Sequence, residues 1–178
     1  KEIIKSNEIK AVISLNDLEL PILSKHKEEI EMLGAKVIVA DSRAIDISFD
    51  KWKTVGFLES VGLKSPKTYI TLDEAKEAIK SGELSFPIVI KPRWGSASIG
   101  IDFPEDMHEL ELAYELQTIR LKRTILAEAS KDDVDRAILI QEKMPGKEYG
   151  IDVLNDFEGN YAGSFVREKI SMRSGETD

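Results

Sequence analysis

The segment Phe86–Gly100, FPIVIKPRWGSASIG, restricts the fold of this 178-residue chain more than any other. Its apolar run, Ile88-Val89-Ile90, predicts a short buried strand that delivers Lys91 to its end. Pro92 fixes the direction of the chain after the lysine. A loop of small residues follows, with Gly95, Ser96, Ala97, Ser98 and Gly100. A fixed cation beside accessible backbone N–H groups suits a polyphosphate. The loop is not a Walker A sequence, because no Gly-Lys-Ser/Thr closes it. Nor is it a dinucleotide-binding fingerprint, because Gly95 and Gly100 lack that spacing. Taken alone, Lys91 reads as a surface lysine extended along a strand end; the adjoining loop reverses that reading.

A second segment, IQEKMPGKEY at Ile140–Tyr149, adds chemistry suited to a nucleoside. An apolar strand over Ala137–Gln141 runs into Glu142-Lys143-Met144 and turns at Pro145-Gly146. Such a strand end offers backbone donors and acceptors to the edge of a flat base, and Met144 is suited to pack on its face. Glu148 is placed to accept hydrogen bonds from two ribose hydroxyls. A polar turn with a solvated glutamate explains the same residues equally well. Arg167, Lys169 and Arg173 alternate, which predicts a basic stripe on one face of the last strand. Lys51 and Lys53 follow a capping aspartate and read by default as a solvated first turn. His26 and His108 lack the neighbours of a metal site. Glu105, Asp106, Glu109 and Glu111 form a solvated acidic face.

The remaining chain predicts an α/β and α+β organisation. Strands at Ala11–Leu15 and Val37–Ala40, both buried, flank a helix capped by Asp17, with Ile22, Leu23, Ile30 and Leu33 at helical spacing and Gly34 as its stop. This β-α-β order implies a parallel pair. Asp50 caps a helix ending at Gly62, and Ser65-Pro66 forces an extended chain into a strand over Lys67–Ile70. Thr71 to Glu74 is a capping box for a helix over Glu74–Lys80. Pro104 suits a first helical position, opening a Leu/Glu/Ala-rich stretch to about Ala129, followed by a charged linker over Lys131–Asp135. Asn155–Asn160 joins strands Glu148–Leu154 and Tyr161–Val166 as a hairpin.

Composition narrows the function classes. Hydrophobic residues are 42% and charged residues 33%, which is globular. The net charge of −8 argues against sequence-independent nucleic-acid binding. The absence of cysteine excludes disulfides, thiolate catalysis and Cys-ligated zinc. No apolar run approaches the ~20 residues of a membrane span, so no membrane partner is expected and the cytoplasm is the default location. The first residue is not Met and the last residues, SGETD, read as mid-loop, so a piece of a longer protein is expected.

The ordered set of Asp50-Lys51, VGLKSPKT, FPIVIKP with its Gly/Ser loop, and ILIQEKMPGKEYGIDVL resembles the ATP-grasp superfamily. The similarity is to the branch of the carbamoyl-phosphate synthetase large subunit and other carboxylate–amine ligases. The resemblance implies the end of a Rossmann-like pre-ATP-grasp domain over residues 1–48. It implies a lid subdomain over 49–144 and the start of a truncated C-terminal subdomain over 145–178. It implies that Lys91 contacts the α- and β-phosphates and that the loop with Gly95, Ser96 and Ser98 closes over the phosphates. Gln141, Glu142, Lys143 and Met144 would hold the adenine edge, Glu148 the ribose, and Lys51 would reach the nucleotide. Arg173 would be a catalytic residue near the transferred phosphate. ATP and Mg²⁺ are the implied cofactors, with the metal ligands expected beyond residue 178, so this piece by itself is expected to be inactive. The parent would be an ATP-dependent ligase that activates a carboxylate or bicarbonate for attack by an amine, with a homodimer left open. A non-catalytic ATP-sensing module is the alternative.

Overall fold

The computed structural model describes the chain except residues 96, 97, 99, 125, 132, 171, 174, 175 and 178, and gives the backbone alone for 172, 173, 176 and 177. Two compact units divide it, Lys1–Lys143 and Met144–Asp178.

The first unit opens with helix α1 (Glu2–Ser6), strand β1 (Ala11–Ile13), helices α2 (Leu20–Lys25) and α3 (Lys27–Glu31), strand β2 (Lys36–Ile38) and helix α4 (Ser42–Phe49). β1 and β2 pair in parallel, as the β-α-β order implies, with Val12 opposite Val37. The connecting helix is not continuous. Asn16, not Asp17, caps a short 3-10 turn by accepting from the Leu18 N–H, and the helix breaks at His26. Gly34 follows it at φ +93°, a conformation that favours glycine. Nor are the strands buried throughout: Val37 is enclosed, but Ile13 and Ile38 remain exposed. α4 has no strong signal in the sequence beyond Asp41, whose side chain accepts from the Ala44 N–H.

Then come α5 (Lys51–Ser60), β3 (Thr68–Tyr69), α6 (Leu72–Lys80), β4 (Ile88–Pro92), α7 (Met107–Leu121), α8 (Leu126–Ser130) and β5 (Ile138–Glu142). The three strands form an antiparallel sheet in the order β3-β5-β4. Alternation along β4 turns Ile88 and Ile90 to one face, where they meet Leu110 of α7, Ala75 and Ala78 of α6, Leu84, and Ile138 and Ile140 of β5. Each fully buried aliphatic side chain here contributes roughly 1.5–3 kcal/mol. Lys91 takes the opposite face of the strand. Thr71 and Glu74 form the reciprocal capping box before α6.

Two expectations fail in the connection from β4 to β5. Pro104 does not start a helix. Its carbonyl accepts from the Ile88 N–H at 3.2 Å, so it continues the extended pairing beside β4, and α7 begins after Asp106, which caps the Glu109 N–H at 2.9 Å. The long helical region divides into α7 and α8, and the charged 131–135 stretch is not a plain linker. It leads into a 3-10 turn at Val134–Arg136, and Asp133 is tied back to Arg93.

The second unit contains β6 (Tyr149–Asn155) and β7 (Tyr161–Glu168), the expected hairpin, with Ile151 opposite Val166 and a register shift at Leu154/Asn155. The short strands β8 (Met172–Arg173) and β9 (Glu176–Thr177) pair after it. Of the expected basic stripe, Arg167 pairs with Asp152 at 2.8 Å, Lys169 follows β7 and pairs with Glu148, and the Arg173 side chain lies outside the described residues.

Candidate functional site: two lysines at the exit of a buried strand

Because β4 alternates, Lys91 stands opposite Leu139 on β5, one diagonal step from Gln141. Its Nζ donates to Gln141 Oε1 at 2.6 Å, and Gln141 Nε2 donates to Thr68 Oγ1 at 2.7 Å. The amide is therefore fixed between two strands, with its oxygen toward the lysine. Gln141 is buried within β5 and so supports Lys91 from inside the sheet.

Lys51 arrives from another direction. Asp50 caps α5 by accepting from the Trp52 and Lys53 N–H groups, which sets Lys51 as the first helical residue. The Lys51 N–H donates to the Arg93 carbonyl at 3.2 Å. Its Nζ donates to the Gly95 carbonyl at 2.6 Å and lies 3.4 Å from the Arg93 carbonyl. Burial pushes the Lys51 ammonium down to about 8, and the positive charge of Lys91 adds to this against the opposing carboxylates of Asp50 and Asp17. Lys53, by contrast, is a surface residue paired with Asp46.

Lys51 and Lys91 line one small cavity of about 60 Å³ together with Trp94, Gly95, Ser98 and Ile101. Gly95 has φ +101°, and a Cβ on it would fall 2.5 Å from Leu126 Cδ2, so both backbone conformation and space call for glycine. Ser98 has φ +57°. Two cations supplied by a strand end and a helix start, beside a turn of left-handed backbone, form an arrangement suited to an anion.

The other candidate residues are placed as follows. The Glu142 N–H is engaged by the Lys67 carbonyl at 2.8 Å, and its carboxylate accepts from the Lys67 N–H at 3.2 Å. That backbone donor is therefore spent on the sheet. The Lys143 ammonium lies 5.3 Å from the centre of the Phe103 ring. Met144 and Glu148 belong to the second unit; Met144 is exposed and Glu148 is paired with Lys169. Ser96 and the Arg173 side chain lie outside the described residues. Among the described residues there is no group of three or more His, Asp or Glu suited to holding a metal ion. The chemistry of the paired lysines suits a phosphate. Likewise, among the described residues, no helix is long and apolar enough to cross a membrane.

Sequence reading passed over Arg93. Its guanidinium grips Asp50 with two hydrogen bonds, Nε to Oδ1 at 2.8 Å and Nη2 to Oδ2 at 2.7 Å, and reaches Asp133 through Nη1 at 2.7 Å. No short-range spacing connects these residues. The available signal was an arginine directly after a buried strand and Pro92, where a charge demands a partner.

The ATP-grasp domain profile matches residues 84–176, more than half of the chain, and the chain belongs to the ATP-grasp family. Among curated relatives, the arginine-specific carbamoyl phosphate synthase large chain of Bacillus subtilis is 22% identical over 152 residues, covering 84% of this chain and 13% of that protein. The carbamoyl-phosphate synthase of Methanobrevibacter smithii is 30% identical over 119 residues, covering 65% of this chain and 32% of that protein. The chain thus spans a third or less of these two relatives. Of solved structures, the biotin carboxylase domain of the Hydrogenobacter thermophilus 2-oxoglutarate carboxylase, in complex with MgADP, ADP and bicarbonate, superposes with a TM-score of 0.72 at 18% identity, over 99% of this chain and 38% of that one. At that identity the likeness establishes the fold.

Proposed function

We propose that this chain is the ATP-binding portion of an ATP-dependent ligase in which a carboxylate or bicarbonate is activated as an acyl phosphate and an amine then displaces the phosphate. The observation that carries the reading is the convergence of Lys51 and Lys91 on one cavity beside the Gly95 turn. Positioned cations are the main requirement of phosphoryl transfer, which relies on electrostatic stabilisation more than on acid–base chemistry. In this reading Lys91 binds the α/β-phosphates and Lys51 supports it, and Gly95, Ser96 and Ser98 contact the phosphates. Gln141, Glu142, Lys143 and Met144 form the adenine segment, Glu148 binds the ribose and Arg173 approaches the transferred phosphate. The glutamine–threonine relay behind Lys91 holds the ammonium in direction. Residues 1–48, 49–144 and 145–178 correspond to the pre-ATP-grasp, lid and C-terminal portions. Mg²⁺ would supply neutralisation of phosphate charge when bound. The Bacillus and Methanobrevibacter relatives, both carbamoyl-phosphate synthases by name, support the carboxylate-or-bicarbonate class.

Calorimetric titration with ATP tests the site. Lys91→Ala is expected to weaken binding by about 1.5–3 kcal/mol, as for a lost charge-assisted hydrogen bond. An unchanged affinity would falsify the phosphate role.

A further inference from the structure

Asp50 and Arg93 are 3% and 8% exposed, and the phosphate reading uses neither. Their placement is particular. Asp50 immediately precedes Lys51 at the start of α5, and Arg93 lies two residues after Lys91 at the exit of β4. We infer that Arg93 is a positioning residue that holds Lys51 and Lys91 at a fixed separation; this rests on the phosphate reading of the two lysines.

The argument is geometric. A bidentate guanidinium–carboxylate pair fixes both distance and plane, which a single contact does not. Here that plane ties the first residues of α5 to the end of β4. A third bond, to Asp133, and the Trp94 ring 4.4 Å from the guanidinium carbon remove the remaining freedom of the Arg93 side chain. The backbone of the same residue completes the clasp. Its N–H donates to the Ala137 carbonyl at 2.9 Å on the β5 side, and its carbonyl accepts from the Lys51 N–H. Asp50 is used twice, because Oδ1 also accepts from the Trp52 N–H at 3.0 Å to start the helix. A buried ion pair is poor evidence for stability, since well-packed apolar residues often serve as well. An apolar pair would not, however, set the angle between helix and strand, and that angle determines where the two ammonium groups meet. Lysine at 93 would keep the charge but lose the fork.

The test uses the whole chain with ¹³C-labelled lysine and reads two things: the Lys51 titration midpoint and ATP affinity. The groups facing Lys51 are Lys91, Asp50 and Asp17. Two variants separate position from charge: Arg93→Lys retains the charge, and the Asp50→Asn/Arg93→Gln pair removes opposite charges together. Both are expected to keep the backbone spectrum of the β3-β5-β4 sheet and to bind ATP about tenfold more weakly; the midpoint is read in Arg93→Lys, where Asp50 keeps its charge, and is expected to move from about 8 toward the ordinary lysine value of 10.5. An unmoved midpoint in the folded Arg93→Lys variant overturns the inference, as does unchanged ATP affinity in both variants. So does unfolding of both, which would make Arg93 a residue of the fold alone. If the unsubstituted chain fails to bind ATP, the phosphate reading falls, while the midpoint still decides whether Arg93 positions Lys51.

Discussion

At the scale of single residues, Lys51 has the most directly measurable behaviour. Burial removes water from its amine and the positive charge of Lys91 adds to this, so its charged form is disfavoured in the folded chain despite the two carbonyls that accept from it, and its midpoint falls to about 8. A phosphate placed beside it would favour the charged form and raise that midpoint. ATP affinity is therefore expected to be level below about pH 8 and to fall as pH rises above it, with a proton taken up on binding in that range. Calorimetry from pH 7 to about pH 10 in buffers of different ionisation enthalpy measures both effects. In Lys51→Met the proton uptake is expected to vanish. The stability contribution has the opposite slope. Between about 8 and 10.5 the unfolded chain holds more protons on this group than the folded one, so folding stability gains from Lys51 as pH rises through that window. Gly95 is the second residue with a sharp expectation. Gly95→Ala meets both a left-handed backbone and Leu126 at 2.5 Å, whereas Gly62→Ala meets only the backbone. Thermal melts should show the loss at position 95 exceeding that at 62, where roughly 1 kcal/mol is expected.

At the scale of elements, the sheet is held by its apolar face. Ile140→Ala on the central strand is expected to destabilise the first unit by about 2–5 kcal/mol in denaturant titrations, and Thr71→Ala by only about 1 kcal/mol through loss of the α6 cap. These are also the elements that sequence reading located well. IVI and AILIQ are short apolar runs bounded by polar residues, and Thr71/Glu74 is a local pattern, so neighbouring residues carry the information. The elements it misplaced depend on distant residues. Pro104 looked like a helix start until the extended chain beside β4 claimed its carbonyl. The charged stretch at 131–135 read as a linker because Arg93, the partner of Asp133, is far away in sequence. The basic stripe was legible as alternation, but the carboxylates of Asp152 and Glu148 that pair with it stand on the opposite strand or before it. Of the candidate site, Lys91 and the glycine turn were readable locally. The interior placement of Gln141 and the double use of Asp50 were not, because each is set by pairing across the sheet or between helix and strand.

At the scale of the whole molecule, the two units differ in what shields their backbones. The core residues of β4 and β5 are fully enclosed, while Ile151, Val153 and Phe165 of the hairpin are each more than half exposed. Hydrogen exchange should therefore be slowest at the amides of Ile90 and Ile140 and markedly faster along β6 and β7, with two rate classes divided near Lys143. Equal rates in both units would count against this division of stability. Within the first unit, the carboxylate of Asp50 answers for a helix start and a strand exit at once. A shared fastening of that kind couples the melting of the parts it joins. As denaturant rises, the amides of Lys51 and Arg93 should open in a single concerted step, so that neither lysine is left half-assembled at any intermediate concentration.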